Sequence, residues 1–131
     1  MIGIDTNVLI RFLVNDDPDQ GRLARELFAR LTPDAPGFLP REVLLESVWA
    51  LERAYRFDRT TIVRAIEGLL ESREIVVEAA DDIGLALSRY ARGGAGFADQ
   101  LIIAISQRAG CSTVYSFDRQ AAHEPGATLL T

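Results

Sequence analysis

Four carboxylates hold positions whose neighbours suggest chemistry. Asp5 follows the apolar run Met1 to Ile4 and precedes Thr6 and Asn7, after which the chain turns apolar again at Val8. Asp118 closes a second such run, Val114 to Phe117. If both runs are parallel strands, both acids sit at strand exits, the edge where open α/β sheets bind their ligands. Each could instead cap the helix that follows, a role worth about 1 kcal/mol. Asp99 lies near the start of the apolar helix FADQLIIAISQRA, where a negative charge complements the helix dipole by about 0.3 to 1 kcal/mol. The preceding GGAGF gives a loose entry and close backbone approach that a simple cap would not require. Glu46 lies in the middle of PREVLLESVWALERAY. At helical spacing, Val43, Leu44, Leu45, Val48, Trp49, Ala50, Leu51 and Tyr55 cover most of that helix. Glu42, Glu46 and Arg53 are left on a narrow polar stripe, whose acids face a crevice or form a solvated salt-bridge surface, the latter being the reading preferred for Glu42.

Suppose Asp5, Glu46, Asp99 and Asp118 converge. Two charges 4 Å apart repel by about 4 kcal/mol at an effective dielectric near 20. A domain has only about 5 to 15 kcal/mol of stability in all. Such a cluster must take up protons or hold a cation, and hard oxygen donors select Mg2+, with Mn2+ as the other option. Neutralising the four would also bring the net charge of −5 to −1. Magnesium on a few carboxylates keeps waters, the reagents of phosphodiester hydrolysis.

The remaining composition excludes alternatives. All 14 basic residues are arginine, so every mechanism that needs a lysine fails, Walker-type nucleotide binding included. A net charge of −5 argues against a general nucleic-acid coat, which needs a basic stripe. His123 is the only histidine, which removes a two-histidine ribonuclease mechanism, and no serine lies in a nucleophile elbow. Cys111 is the only cysteine; neither a disulfide nor a zinc cage follows, and it reads as ordinary packing. Phosphatases of the haloacid dehalogenase type want a second aspartate where Asn7 stands and a lysine later; receiver domains also want the lysine.

Positioning the four acids requires an alternating fold. Met1 to Ile4 reads as a buried strand, Val8 to Val14 as a helix, and Pro18 opens a second helix to about Leu31. Gly37 to Leu39 makes a brief strand, and Pro40 starts the helix that carries Glu46. Thr60 to Ser72 is helical, Ile75 to Glu78 a strand, Asp81 to Tyr90 and Phe97 to Ala109 helices. Thr113 to Ser116 and Ala127 to Leu130 complete the strands. The alternation predicts an α/β fold with a parallel sheet covered on both faces. With 131 residues and no internal linker tract, one domain over 1–131 is expected. No apolar run approaches the roughly 20 residues of a membrane span and no signal peptide opens the chain, so a cytoplasmic location and no membrane partner are expected.

The stretches IDTNVLIRFLVNDDP, LLESVWALERAY, GFADQLIIA and VYSFDRQA resemble the four signature blocks of PIN-domain ribonucleases, in particular the VapC-type toxins of toxin–antitoxin pairs. The likeness runs almost from end to end, and four blocks in order are far more specific than any one. By this resemblance the catalytic and metal-binding quartet is Asp5, Glu46, Asp99 and Asp118, with Asp5 and Asp99 the foremost magnesium ligands. Thr6 and Asn7 would brace Asp5, and Ser116 stands where the family often has threonine. The resemblance further implies a PIN-like three-layer fold with sheet order 3-2-1-4-5 flanked by helices, homodimerisation, hydrolysis of RNA by metal-activated water, and inhibition by a cognate VapB-like antitoxin. Arg11, Arg92 and Arg119 are candidate phosphate contacts. A catalytically silent PIN module that only binds RNA or protein is the alternative, and a DNA-cleaving relative is a variant of the first reading.

Overall fold

Four of the seven helices in this chain start at an aspartate. Asp5, Asp17, Asp58 and Asp118 each occupy the position before a helix, with extended backbone and a side-chain oxygen accepting from an amide two or three residues on. Each thereby satisfies a backbone donor that the first helical turn leaves unpaired. The structure is a computed structural model that describes residues 1–131. Twelve elements alternate: β1 (Ile2–Gly3), α1 (Thr6–Leu13), α2 (Pro18–Ala29), β2 (Gly37–Leu39), α3 (Arg41–Arg53), α4 (Arg59–Glu71), β3 (Ile75–Val77), α5 (Ala80–Ala91), α6 (Phe97–Arg108), β4 (Val114–Ser116), α7 (Arg119–Ala122) and β5 (Ala127–Leu129). They group into two compact units, Met1–Ala80 and Asp81–Thr131.

In the first unit three parallel strands lie in the order 3-2-1, with Gly3 opposite Phe38 and Leu39 opposite Val77. At Gly37 the packing is tight: an added Cβ would stand 2.6 Å from Ile4 Cδ1 and 3.0 Å from Leu31 Cδ1, so those side-chain ends would have to shift. Leu9, Leu39, Leu44, Leu51, Ile62 and Ile66 are all but completely buried, each contributing about 1.5 to 3 kcal/mol of transfer free energy. Phe12 of α1 stacks on Phe28 of α2, ring centroids 3.8 Å apart.

In the second unit β4 and β5 pair in parallel, Val114 opposite Ala127 and Ser116 opposite Leu129. Arg108 Nε of α6 donates to both oxygens of Asp82 in α5, at 2.7 and 2.9 Å, and that bond is what permits a buried carboxylate there. Gly93 and Gly94 take positive φ, +93° and +83°, in the turn from α5 to α6. Tyr90 and Phe97 meet edge to face across that turn.

The α/β class and the parallel pairing match the sequence reading, and the runs 3-2-1 and 4-5 are each present; the continuous five-strand order stays an expectation. Four readings need correction. β1 is not buried: Met1 and Ile2 are exposed and only Ile4, just after the strand, is covered. α3 stops at Arg53, so Tyr55 lies beyond the helix. Trp49 is 60 % exposed, which widens the polar face of α3 and leaves Glu46 exposed rather than in a narrow crevice. Cys111 is exposed, just past the Gly110 turn that ends α6, and is not packing.

Candidate active site

In the first unit Asp5 emerges from the end of β1. Its Oδ1 accepts from Val8 N at 3.1 Å, and Oδ2 makes no hydrogen bond within the protein. Capping and ligand binding are therefore compatible at this residue, one oxygen to each. Thr6 opens α1, and Asn7 lines, with Asp5, Val8, Arg11 and Gln20, a cleft of about 300 Å³ between α1 and α2. Arg11 is tethered beside it. Its Nε donates to Gln20 Oε1 at 2.8 Å and its Nη1 to Tyr55 Oη at 3.1 Å, with Asp16 at 3.3 Å. Tyr55 in turn donates to Asp16 Oδ2 at 2.8 Å. Partial burial, followed by that bond to Asp16, raises the Tyr55 phenol above its ordinary range. This network gives Arg11 a structural task, bracing the α1 to α2 connection, that sequence reading did not assign. Glu46 lies on the exposed face of α3.

In the second unit Asp118 emerges from β4. Oδ1 accepts from Gln120 N at 2.8 Å and from Ala121 N at 3.1 Å; Oδ2 again makes no hydrogen bond within the protein. Ser116 Oγ accepts from Asp118 N at 3.0 Å, so its hydroxyl fixes the backbone that carries the acid. Asp99, in the first turn of α6, is half-buried. Its carboxyl is held above the usual aspartate range, first by burial and then by the charges of Asp118 and Glu124, against a hydrogen bond from the Gly96 backbone that pulls it down. Glu124 is the acidic neighbour of Asp99 that sequence reading missed. It follows the short helix α7 in the stretch HEPG, which matches no signature block, and no spacing signal points to it. Glu124 Oε1 accepts from Ala95 N at 2.9 Å, and Gln120 Nε2 donates to Gly94 O at 3.0 Å, so the glycine turn ahead of Asp99 is stapled to the segment around α7. Arg92 and Arg119 are exposed.

Within neither unit do three or more Asp, Glu, His or Cys side chains form a group that could hold a metal ion. The donor chemistry nevertheless suits one. Asp99 is a hard oxygen donor whose charge is opposed by burial and by the nearby acids Asp118 and Glu124, a cost that added positive charge relieves.

The sequence model of the family described as PIN domain matches residues 2–125. The chain belongs to the PIN domain family. Among curated proteins this PIN domain is similar to a protein of Aquifex aeolicus (strain VF5) named VapC ribonuclease, with 29 % identity over 118 residues, covering 89 % of this chain and 87 % of the relative. Among solved structures it is similar to VapC20 of Mycobacterium tuberculosis, described as a sarcin-ricin loop cleaving toxin, at 24 % identity and a TM-score of 0.45 over 92 % of each chain.

Proposed function

We propose that this PIN domain is a magnesium-dependent endoribonuclease, the toxin of a pair whose antitoxin is VapB-like. It would act as one domain over 1–131, as a homodimer, in the cytoplasm. No helix is long and apolar enough to cross a membrane. The observation that carries the reading is the pressure on Asp99. A half-buried carboxylate kept beside two further acids is costly to fold and becomes useful when a cation is present. The similarity to a VapC ribonuclease supports RNA as the substrate class.

Asp5, Glu46, Asp99 and Asp118 are the proposed ligands and catalytic acids, with Thr6, Asn7 and Ser116 in support. Magnesium, or manganese in its place, would supply the Lewis acidity for hydrolysis of a phosphodiester by water. Asp5 and Asp118 each keep Oδ2 for that task while Oδ1 holds a helix start rigid. Ser116 fixes the backbone of Asp118, and Glu124 fixes the turn that precedes Asp99. A carboxylate of the quartet draws off the proton of the attacking water. The same acids suit an inhibitor's guanidinium, which pairs with carboxylates in a fork.

The alternative, a catalytically silent module that binds RNA or protein, is favoured by one observation, the lack of a three-acid group within either unit. Expression in a bacterial host, with end-sequencing of total RNA, separates the two. The nuclease reading expects growth arrest and new magnesium-dependent RNA ends, both lost in folded Asp5→Ala and Asp99→Ala variants. Arrest without new RNA ends, or ends that survive both substitutions, overturns the ribonuclease reading.

A further inference from the structure

Trp49 is the protein's single tryptophan and is 60 % exposed in the middle of α3. Packing does not explain it, because on the same helix Val43, Leu44, Val48 and Leu51 are buried. Two neighbours give it a context. The Arg53 guanidinium lies over the indole, 5.8 Å from the ring centroid. Glu46 precedes Trp49 by three residues, which places the two side chains on one helix face with Cβ atoms about 5 to 6 Å apart. An exposed stripe thus presents, in order, a carboxylate, an aromatic ring and a cation.

From this stripe we infer that Trp49, with Arg53, is a stacking subsite for one unpaired base of an RNA strand bound next to Glu46. The inference rests on the ribonuclease reading above and adds the form in which the substrate binds. Every base has a π-face, so an aromatic platform holds single strands without reading their sequence, and an arginine beside it adds cation–π attraction and a phosphate partner. Bases inside a duplex present no free face, so the subsite takes loops, bulges and single strands. The charge of the chain favours such a contact. At −5, with no lysine, counterion release supplies little of the affinity it gives to basic nucleases. Stacking does not depend on net charge and can hold a strand on an acidic surface.

The indole is its own reporter. In EDTA, where hydrolysis does not interfere, a short unstructured RNA strand is titrated into the full chain while tryptophan emission is followed. A blunt RNA duplex and an abasic strand of equal length serve as controls. The single strand is expected to quench Trp49, and neither control is. In anisotropy with a labelled strand, Trp49→Ala is expected to weaken binding about five- to 150-fold, the range for one lost base–aromatic stack, while Trp49→Phe keeps most of the affinity. Equal quenching by the abasic strand, or unchanged affinity in Trp49→Ala, overturns the inference. So does an emission shift on dilution of the protein alone, which would make this face a contact between copies. Cleavage is measured separately in magnesium. Base-dependent quenching without cleavage sinks the nuclease reading and leaves the stacking subsite; cleavage without quenching does the reverse.

Discussion

The surroundings of Asp99 hold its carboxyl above the ordinary aspartate range, and the consequence can be signed. Its folded pKa lies above the ordinary 3.8, with burial as the first cause and Asp118 and Glu124 next. The folded state therefore binds the proton more tightly than the unfolded chain, and protein stability from this group falls as pH rises from about 3.8 through the folded value. Asp99→Asn removes that loss and keeps an oxygen for the Gly96 amide. In EDTA the variant should melt above the unsubstituted protein at neutral pH, and the gap should close as the pH drops below 3.8. Melting curves of both proteins across pH test this; a gap independent of pH, or of opposite sign, contradicts it. Asp99 was legible in the sequence because a charge beside GGAGF in an apolar helix asks for a reason. Glu124 was not, because its reach back to Ala95 is a tertiary contact between segments 29 residues apart. Trp49 misled for the opposite reason. A helical wheel assigns every large apolar residue to the core, whereas its neighbour Ser47 is the one buried.

The Gly93–Gly96 turn sets where α6 begins, and so where Asp99 stands. Gly94 has φ +83°, and a Cβ there would meet Glu124 Oε1 at 2.5 Å. That oxygen is already bound to Ala95 N, so it cannot step aside without breaking the staple. Gly94→Ala should cost about 1 to 3 kcal/mol in urea unfolding, the usual cost of a side chain forced into this backbone region. Gly84→Ala is the control: it lies inside α5 with nothing within 4 Å of an added Cβ, and should be neutral or slightly stabilising. Equal effects at the two sites would refute the staple. Element boundaries were legible to within a residue or two because several stops and starts are chemical, aspartate caps at Asp5 and Asp118 and Pro18 at the first turn of α2. Burial was less legible, as Met1 and Ile2 show, because periodicity reports which residues could be covered and not whether anything covers them.

At the scale of the whole chain, the family match over residues 2–125 runs through the boundary at Ala80 between the two compact units. A two-stranded sheet such as β4–β5 is marginal alone. One cooperative unfolding transition is therefore expected in calorimetry, and two resolved transitions would make the units separate domains. Magnesium should then act on that single transition. A ligand that binds only the folded state at 100 times its dissociation constant stabilises by about 2.7 kcal/mol, which for a chain of this size raises the melting temperature by roughly 10 °C. Potassium at matched ionic strength should not reproduce the rise, since screening acts on all 19 acidic residues alike whereas coordination acts on a few. Asp5→Asn and Asp99→Asn should each abolish most of the magnesium response, although Asp99→Asn starts from the higher melting temperature in EDTA. That pairing of a more stable metal-free protein with a lost metal response distinguishes a ligand carboxylate from a structural one. A structural acid would lose stability when neutralised and leave the magnesium shift intact.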